Sequence, residues 1–273
     1  MQQVIESLGF DIKLAHSLVV MSLIFVRLAI VVNIVPFLFG RPVPAMPRQI
    51  VALLFTVLIY PLVVDQVPAG IETNFFFVMA LMAKEVLYGL AIGLAAGMIF
   101  YAFDAAGQII DAQRGASMAQ LFSPQTGHQI TVFGQFSLQL GIVLFLSLGG
   151  HRLFLHSLFE SFRLLPIQEL PTFGPSYLAM IDMFIVISGQ VLLLAAQLAA
   201  PIIIAIFVVD IILGVMNRIS PAVNVLSLGF VLRGIIGVLI FFISITVFAH
   251  QMSLISIESM DNIQKTIRYL TAA

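Results

Sequence analysis

The longest apolar run in the chain reads YLAMIDMFIVISGQVLLLAAQLAAPIIIAIFVVDIILGVM, residues 177–216. Asp182 and Asp210 are its only charged residues. A helix crosses the hydrocarbon core of a bilayer with about 20 residues, so the run is too long for one crossing. Pro201 divides it, and a proline inside a helix breaks or kinks that helix. Two structures fit the run: a hairpin broken near Pro201 and a single kinked helix.

The rest of the chain is similarly apolar. Hydrophobic residues make up 61% of the 273 positions and charged residues 9%, whereas soluble domains carry about 25% charged residues. Apolar runs recur along the chain, at 14–39, 49–64, 75–103, 130–148, 177–216 and 225–250. We therefore predict an all-α, polytopic membrane protein of six or seven long, partly broken helices. We expect a single domain over residues 1–273, with a short, polar, amphipathic tail at 251–273.

Several classes of function are excluded by composition and motif. The 12 basic and 13 acidic residues produce no field that would attract nucleic acid. There is no cysteine for a disulfide or a thiolate site, and no HExxH, GxSxG, phosphate-loop or GxGxxG motif occurs. His151 and His156 are five residues apart and do not share a helical face. The sequence thus predicts no enzyme, no metal site and no cofactor.

Charged residues inside the apolar runs need partners or water, because each costs at least about 2.5–3.5 kcal/mol at mid-bilayer. These residues are Arg27, Lys84, Glu85, Asp182, Asp210 and Arg233. As sequence neighbours, Lys84 and Glu85 are expected to point away from each other on a helix. Asp182 and Lys84 fit side chains that reach the interface near a helix end, whereas Arg27 lies in the middle of its run.

A stripe of glycines predicts close helix packing. Gly89, Gly93 and Gly97 follow one another at four-residue spacing, which lets a second helix backbone approach closely. We expect that helix to come from this chain, although the pattern also fits a helix of a partner subunit.

One stretch is too polar for lipid and too poor in charge for an ordinary solvated loop: DAAGQIIDAQRGASMAQLFSPQTGHQ, residues 104–129. A helix over 104–114 would place Gly107, Asp111 and Arg114 on one side. Non-helical backbone at membrane depth occurs only inside protein or beside a water-filled cavity. The stretch is therefore either a gating segment that borders an aqueous path or an interfacial connector without a gating role.

Four blocks of the sequence resemble, in order, the FliR/SctT family of export-gate subunits of bacterial type III secretion systems. They are VPFLFGRPVPAMPRQ (35–49), GQIIDAQRGASMA (107–119), SLGGHRLFLHSLFESFRLLP (147–166) and DIILGVMNRISPAVNVLSLGF (210–230). The last block carries the family's Gly, Arg, Pro and Asn as Gly214, Arg218, Pro221 and Asn224. It departs from the family at Ala222, where many members have glutamine. The likeness covers nearly the whole chain.

The resemblance implies a hetero-oligomeric helical assembly. In it, one such subunit joins five FliP/SctR-like and four FliQ/SctS-like subunits and associates with an FlhB/SctU-like switch protein. The assembly is expected in the bacterial inner membrane, within the basal body of the secretion system, and projecting to the periplasmic side. Its function would be that of a gated channel for unfolded protein substrates.

The same resemblance implies a plug, residues 107–127, that seals the closed channel. Its glycines would provide backbone freedom, two charged residues would hold it closed, and three further residues would line the constriction. The glycines are Gly107, Gly115 and Gly127, and the charged residues are Asp111 and Arg114. The constriction would be lined by Gln113, Ser117 and Met118.

Assembly and helix packing are expected to depend on a second set of residues. Arg218 and Asn224 would define the turn between the last two long helices, and Pro221 would stop them from continuing as one. The whole set is Gly89, Gly93, Gly97, Asp210, Gly214, Arg218, Pro221 and Asn224.

Two alternatives stay open at this point. A stand-alone secondary transporter or ion channel, with a midplane site at Asp210, at Arg27 or near Pro201, also fits broken helices and intramembrane charges. A structural scaffold whose loop merely packs fits as well. The loop charges are too evenly divided to set the membrane orientation. Asp210 before the Leu-Gly favours an injectisome member of the family, whereas the Arg-x-Val-Pro connector at 41–44 is equally like flagellar members.

Overall fold

The structure, a computed structural model, describes residues 12–39, 43–67, 75–115, 131–171, 174–221 and 224–271. These residues form α-helices and no β-strand, which confirms the all-α prediction. The helices are α1 (Ile12–Ile34), α2 (Pro36–Phe39), α3 (Ala45–Val64), α4 (Phe75–Gln113), α5 (Val132–Ser147), α6 (Gly150–Leu164), α7 (Pro175–Ile219) and α8 (Val225–Thr271).

Helix α7 is continuous across Pro201. The buried residues Leu198, Ala199, Ile202 and Ile206 recur at helical spacing on both sides of the proline. Because one packing face runs through this point, both halves of the run belong to one helix. The hairpin alternative is therefore wrong, and with it the count of seven long helices.

Three helices are much longer than one membrane crossing requires. Helices α4, α7 and α8 have 39, 45 and 47 residues, or about 58, 67 and 70 Å at 1.5 Å per residue. The hydrocarbon core of a bilayer is about 30 Å thick. In the described part of the chain, five helices are long and apolar enough to span a membrane, and six spans result if α5 and α6 count as one broken span.

The chain divides into two compact units, each built from separate stretches of sequence. Unit 1 comprises residues 1–97, 151–184 and 259–273, and unit 2 comprises residues 98–150 and 185–258. The prediction of a single domain stays a prediction.

Unit 1 has a core of aliphatic and aromatic side chains. Helix α1 packs against α3, and the α1 side chains Leu23, Ile24 and Leu28 are fully buried. Phe37 of α2 meets Phe154 of α6 edge to face, with their ring centroids 5.1 Å apart.

Unit 2 has an aromatic core. Phe103 and Phe248 pack edge to face at 5.7 Å between centroids, and Phe133 and Phe241 at 5.1 Å. Phe241 and Phe248, two turns apart on α8, also touch each other. The rings hold α4, α5 and α8 together in this unit.

The polar tail predicted for 251–273 is the last part of α8, which ends at Thr271. Within unit 1, Met260, Ile263, Ile267 and Leu270 are buried at helical spacing. Asp261 and Lys265 form an ion pair on the exposed side. The tail is amphipathic, but its apolar face is covered, so it is not a wholly solvent-facing end.

Candidate functional site

The carboxylate of Asp111, near the end of α4, caps the start of α5. Its Oδ2 accepts hydrogen bonds from the backbone N–H groups of Phe133 and Gly134, at 2.9 and 3.3 Å. The first N–H groups of a helix have no intrahelical partner, and Thr131 provides no side-chain cap. A buried carboxylate also interacts favourably with the positive end of the helix dipole. Asp111 therefore takes over a task that the residue before a helix usually performs.

Two glycines let α4 approach the start of α5 this closely. A Cβ at Gly107 would overlap the carbonyl group of Phe133, and a Cβ at Gly134 would lie 3.1 Å from Asp104 Oδ1. Gly107 lies within the regular helix α4. The expected backbone freedom at Gly107 is therefore wrong, because this glycine makes room for a neighbouring backbone.

Arg114 lies across a gap in the surface of α8. Its Nη1 is 3.5 Å from Asp111 Oδ1, and its guanidinium group lies 4.5 Å from the ring centroid of Phe133. Its Cδ would be 3.0 Å from a Cβ at Gly237, and its Nη2 would be 3.9 Å from a Cβ at Gly234. The arginine thus occupies space that two glycines leave open.

Gly115 lies two residues beyond the end of α4 at Gln113. Its φ of +82° is in the left-handed region, which glycine adopts without strain and which commonly ends a helix. A Cβ here would also lie only 2.8 Å from Cε1 of Phe230. Both backbone conformation and space therefore require glycine. Residues 107–115 are the described part of the predicted plug, and we call them the plug base.

An ion pair between α7 and α8 lies beside the plug base. Arg233 Nε donates to Asp210 Oδ1 at 2.7 Å, and Arg233 Nη1 would be 3.9 Å from a Cβ at Gly115. The block at 107–119 and the block that begins at Asp210 thus meet in unit 2, although they are far apart in sequence.

The turn between α7 and α8 contains the predicted residues Arg218, Pro221 and Asn224. Helix α7 ends at Ile219, and Asn224 immediately precedes α8 and accepts the N–H of Ser227 at 3.3 Å. Such a contact is typical of a helix N-cap. Arg218 and Pro221 are exposed.

A second polar cluster lies in unit 1 around Arg27, which is fully buried. Its Nε donates to Glu85 Oε2. Its Nη1 and Nη2 donate to the carbonyl groups of Ser161 and Leu165, at 3.1 and 3.0 Å. These carbonyls lie at the end of α6, where helical partners are missing and positive charge is favourable. Arg27 therefore ties α1 to α4 and to the end of α6.

Lys84 completes this cluster and corrects two predictions. Its Nζ lies 2.9 Å from Glu85 Oε1, so the two sequence neighbours meet instead of pointing apart. The same Nζ donates to the carbonyls of Pro166, Ile167 and Glu169 at 2.8–3.0 Å. Lys84 is only 2% exposed, so it does not reach an interface. Its long stem bends back because four oxygen atoms collect around the ammonium group.

The glycine stripe of α4 faces α1. A Cβ at Gly89 would lie 2.8 Å from the carbonyl oxygen of Arg27, and a Cβ at Gly93 would lie 3.2 Å from Cβ of Ile34. Gly97 is buried. The helix that packs on Gly89 and Gly93 thus comes from this chain.

The match to known proteins covers most of the chain. The family described as "Bacterial export proteins, family 1" matches residues 18–257. The chain belongs to this family. Flagellar biosynthetic protein FliR of Bacillus subtilis (strain 168) is 31% identical over 246 residues, which are 88% of this chain and 93% of that protein.

Relatives with other names are similar as well. Yop proteins translocation protein T of Yersinia pestis is 36% identical over 183 residues, 67% of this chain and 68% of the relative. Surface presentation of antigens protein SpaR of Shigella sonnei is 28% identical over 227 residues, 83% and 85% of the two chains. The FliR/SctT resemblance is confirmed. This member of bacterial export protein family 1 is a component of the type III secretion export apparatus and an integral inner-membrane protein, and the transporter alternative is not favoured.

The other predicted residues are either exposed or outside the described part of the chain. Gln113 is exposed. Gly214 is exposed, and a Cβ there would meet nothing within 4 Å. Ser117, Met118 and Gly127 lie outside the described residues.

The Asp210–Arg233 pair was not predicted, although the sequence contains a signal for it. Asp210 lies nine residues before the end of α7, and Arg233 lies eight residues after the start of α8. Opposite charges at nearly equal distances from a turn meet when the two helices run back along each other. The cluster around Arg27 has no such local signal, because the partners of Arg27 come from α4 and from the end of α6.

Proposed function

We propose that the chain is the FliR/SctT-like subunit of a type III secretion export gate. It joins five FliP/SctR-like and four FliQ/SctS-like subunits and an FlhB/SctU-like switch protein, and forms a gated channel for unfolded protein substrates. The assembly lies in the inner membrane, within the basal body, and projects to the periplasmic side. Residues 107–127 are its plug.

The Asp111 cap is the observation that carries the plug proposal. The chain leaves the plug base at Gly115 and returns at Thr131, just before α5. Because Asp111 on one side binds Phe133 and Gly134 on the other, the two ends of the intervening segment are tied together. A segment that blocks a channel needs such an anchor if it is to return to one closed position.

The roles of Asp111 and Arg114 follow from their contacts. The aspartate binds backbone N–H groups, and the arginine is held by this aspartate, by the ring of Phe133 and by the gap at Gly237. These partners all belong to unit 2. This supports a role in holding the plug, and not in contacting substrate.

The apolar surface of α7 supports the proposed partners. Within unit 2, exposed large hydrophobic residues of α7 extend from Ile185, 65% exposed, to Ile219, 78% exposed. They span about 51 Å at the rise of an α-helix, well above the hydrocarbon thickness of a bilayer, which is about 30 Å. An apolar patch of this size does not stay in water. Lipid covers only part of such a length, so neighbouring helical subunits are needed for the rest.

Permeability of resting cells tests the plug. Replacing Arg114 and Gly115 by alanine, in cells that contain the complete secretion system, should make the closed gate leak ions and small solutes. His156→Ala is the control, because this exposed α6 side chain belongs to unit 1 and has no part in the plug base. Unchanged permeability of cells in which the altered complex assembles at the normal level would refute the plug.

Size in mild detergent tests the assembly. We expect the chain to migrate on native gels as part of a large mixed complex, whose other subunits mass spectrometry identifies as FliP-, FliQ- and FlhB-like. A monomer or a small homo-oligomer that is stable by itself would contradict the proposal.

A further inference from the structure

One face of α8 receives the end of α4. Phe230, Arg233, Gly234 and Gly237 follow one another at spacings of three, one and three residues, so they lie on one side of the helix. Phe230 and Arg233 approach Gly115, and the two glycines make room for Arg114. The plug base is therefore seated on α8 through two side chains and a gap.

Arg233 is itself held from a third helix. Asp210 of α7 accepts its Nε–H at 2.7 Å, and both side chains are about one-third exposed, 39% for the aspartate and 30% for the arginine. The other end of the guanidinium group, Nη1, faces Gly115. Asp210 thus determines the direction in which Arg233 points.

The charges at this seat form two matched pairs. Arg114 and Arg233 are both cations near Gly115, and each has its own carboxylate, Asp111 and Asp210. Asp111 is already engaged by two backbone N–H groups of α5. Without Asp210, Arg233 would keep its positive charge beside Gly115 but lose the carboxylate that orients its guanidinium group.

We propose that Asp210 and Arg233 are positioning residues of the gate: their ion pair braces the plug base, so that the closed position depends on α7 and α8 being tied together. Neither residue needs to touch substrate, because both act through Gly115 and Arg114. The inference rests on the proposed role of residues 107–127.

Charge exchange tests the brace. The variants are Asp210→Asn, Arg233→Gln and the double exchange Asp210→Arg with Arg233→Asp, each in cells with the complete secretion system. Leakage of a small dye and of ions in resting cells is divided by the amount of assembled complex on native gels. Asp182→Asn is the matched control, since Asp182 is an exposed α7 carboxylate with no ion pair among the described residues.

We expect a several-fold larger leak per complex in both single variants, restoration towards the resting level in the double exchange, and no change in the control. Restoration is the decisive readout, because a general packing defect would add up in the double variant instead of being reversed. If a single variant assembles too poorly to measure, Arg233→Lys, which keeps the charge but not the planar donor group, should show an intermediate leak. Normal leakage of assembled single variants, or of Arg233→Lys in their place, would overturn the brace, and so would a leak that the exchange does not reduce.

Deletion of residues 116–127 separates this inference from the proposed function. A leak in the deletion with none in Asp210→Asn and Arg233→Gln refutes the brace alone. An assembled deletion variant without a leak refutes the plug itself, and the brace with it.

Discussion

The carboxylate of Asp111 accepts a hydrogen bond from the backbone N–H of Phe133 at 2.9 Å, and so joins the end of α4 to the start of α5. The contact uses a side chain from one family motif and a backbone group that has no sequence signature. A charged residue at the end of an apolar helix thereby binds the backbone at the start of the next described helix.

Asp111→Ala should weaken this anchor, while Asp111→Asn should retain part of it. Loss of an N-cap acceptor costs about 1 kcal/mol, and the alanine variant also leaves Arg114 without its carboxylate. We expect a lower thermal stability of the purified complex and a leak in resting cells for alanine, and a smaller effect on both for asparagine, whose amide oxygen still accepts a hydrogen bond. Equal values for alanine and the unaltered protein would contradict the capping role.

Arg27 and Glu85 should show strong coupling. Removing one partner of a buried ion pair typically costs about 3–5 kcal/mol, so Arg27→Met and Glu85→Met should each greatly reduce the amount of assembled complex in the membrane. The double variant has neither an unpaired arginine nor an unpaired glutamate at this pair. We therefore expect the loss of assembled complex to be smaller than the sum of the two single losses. Asp261→Ala breaks an exposed pair with Lys265 and should change little. Additive losses would show that the pair does not act as a unit.

Gly89→Ala should destabilise unit 1. The new Cβ would meet the carbonyl oxygen of Arg27 at 2.8 Å, and this backbone atom can move away only if α1 shifts. Gly189→Ala, where a Cβ meets nothing within 4 Å, is the control. It should be neutral or stabilising by up to about 1 kcal/mol, because alanine favours helix over glycine. Thermal unfolding of the purified complex measures both, and equal stability of the two variants would argue against close packing of α1 on Gly89.

Gly214→Leu tests whether partner subunits cover α7. Gly214 is exposed, and a Cβ there meets nothing within 4 Å in the described part of this chain, so the altered chain should reach the membrane in normal amounts. If a partner helix packs here, leucine should reduce the large complex on native gels, and Gly214→Ala should reduce it less. Normal assembly of the leucine variant would place Gly214 outside any interface.

Helix content was predictable because hydropathy is a local property. The described residues of the apolar runs are mainly helical, and α4 continues ten residues beyond the apolar run that ends at 103, to Gln113. The extension contains Ala106 and Ile110, which are buried together with Asp111. A hydropathy pattern ends such a helix early because it cannot show that a charged residue will find buried partners.

Helix α6 was seen as a motif but not counted as a helix, because charged and polar residues interrupt it. Its buried Phe154, Leu158 and Phe162 recur every four residues. This periodicity was available in the sequence and indicates one buried face.

The sequence by itself determined the membrane character, the helical class and the family, because these depend on composition, on apolar runs and on short motifs that can be read in order. Only the tertiary structure decided that Pro201 lies inside one helix, that Lys84 and Glu85 meet, and that Arg233 is held by Asp210 beside Gly115. Each of these depends on which elements come together in space. A charge or a glycine in the chain shows that a partner or a close approach is needed, but the partner is often a backbone atom far along the sequence, and only the folded chain identifies it.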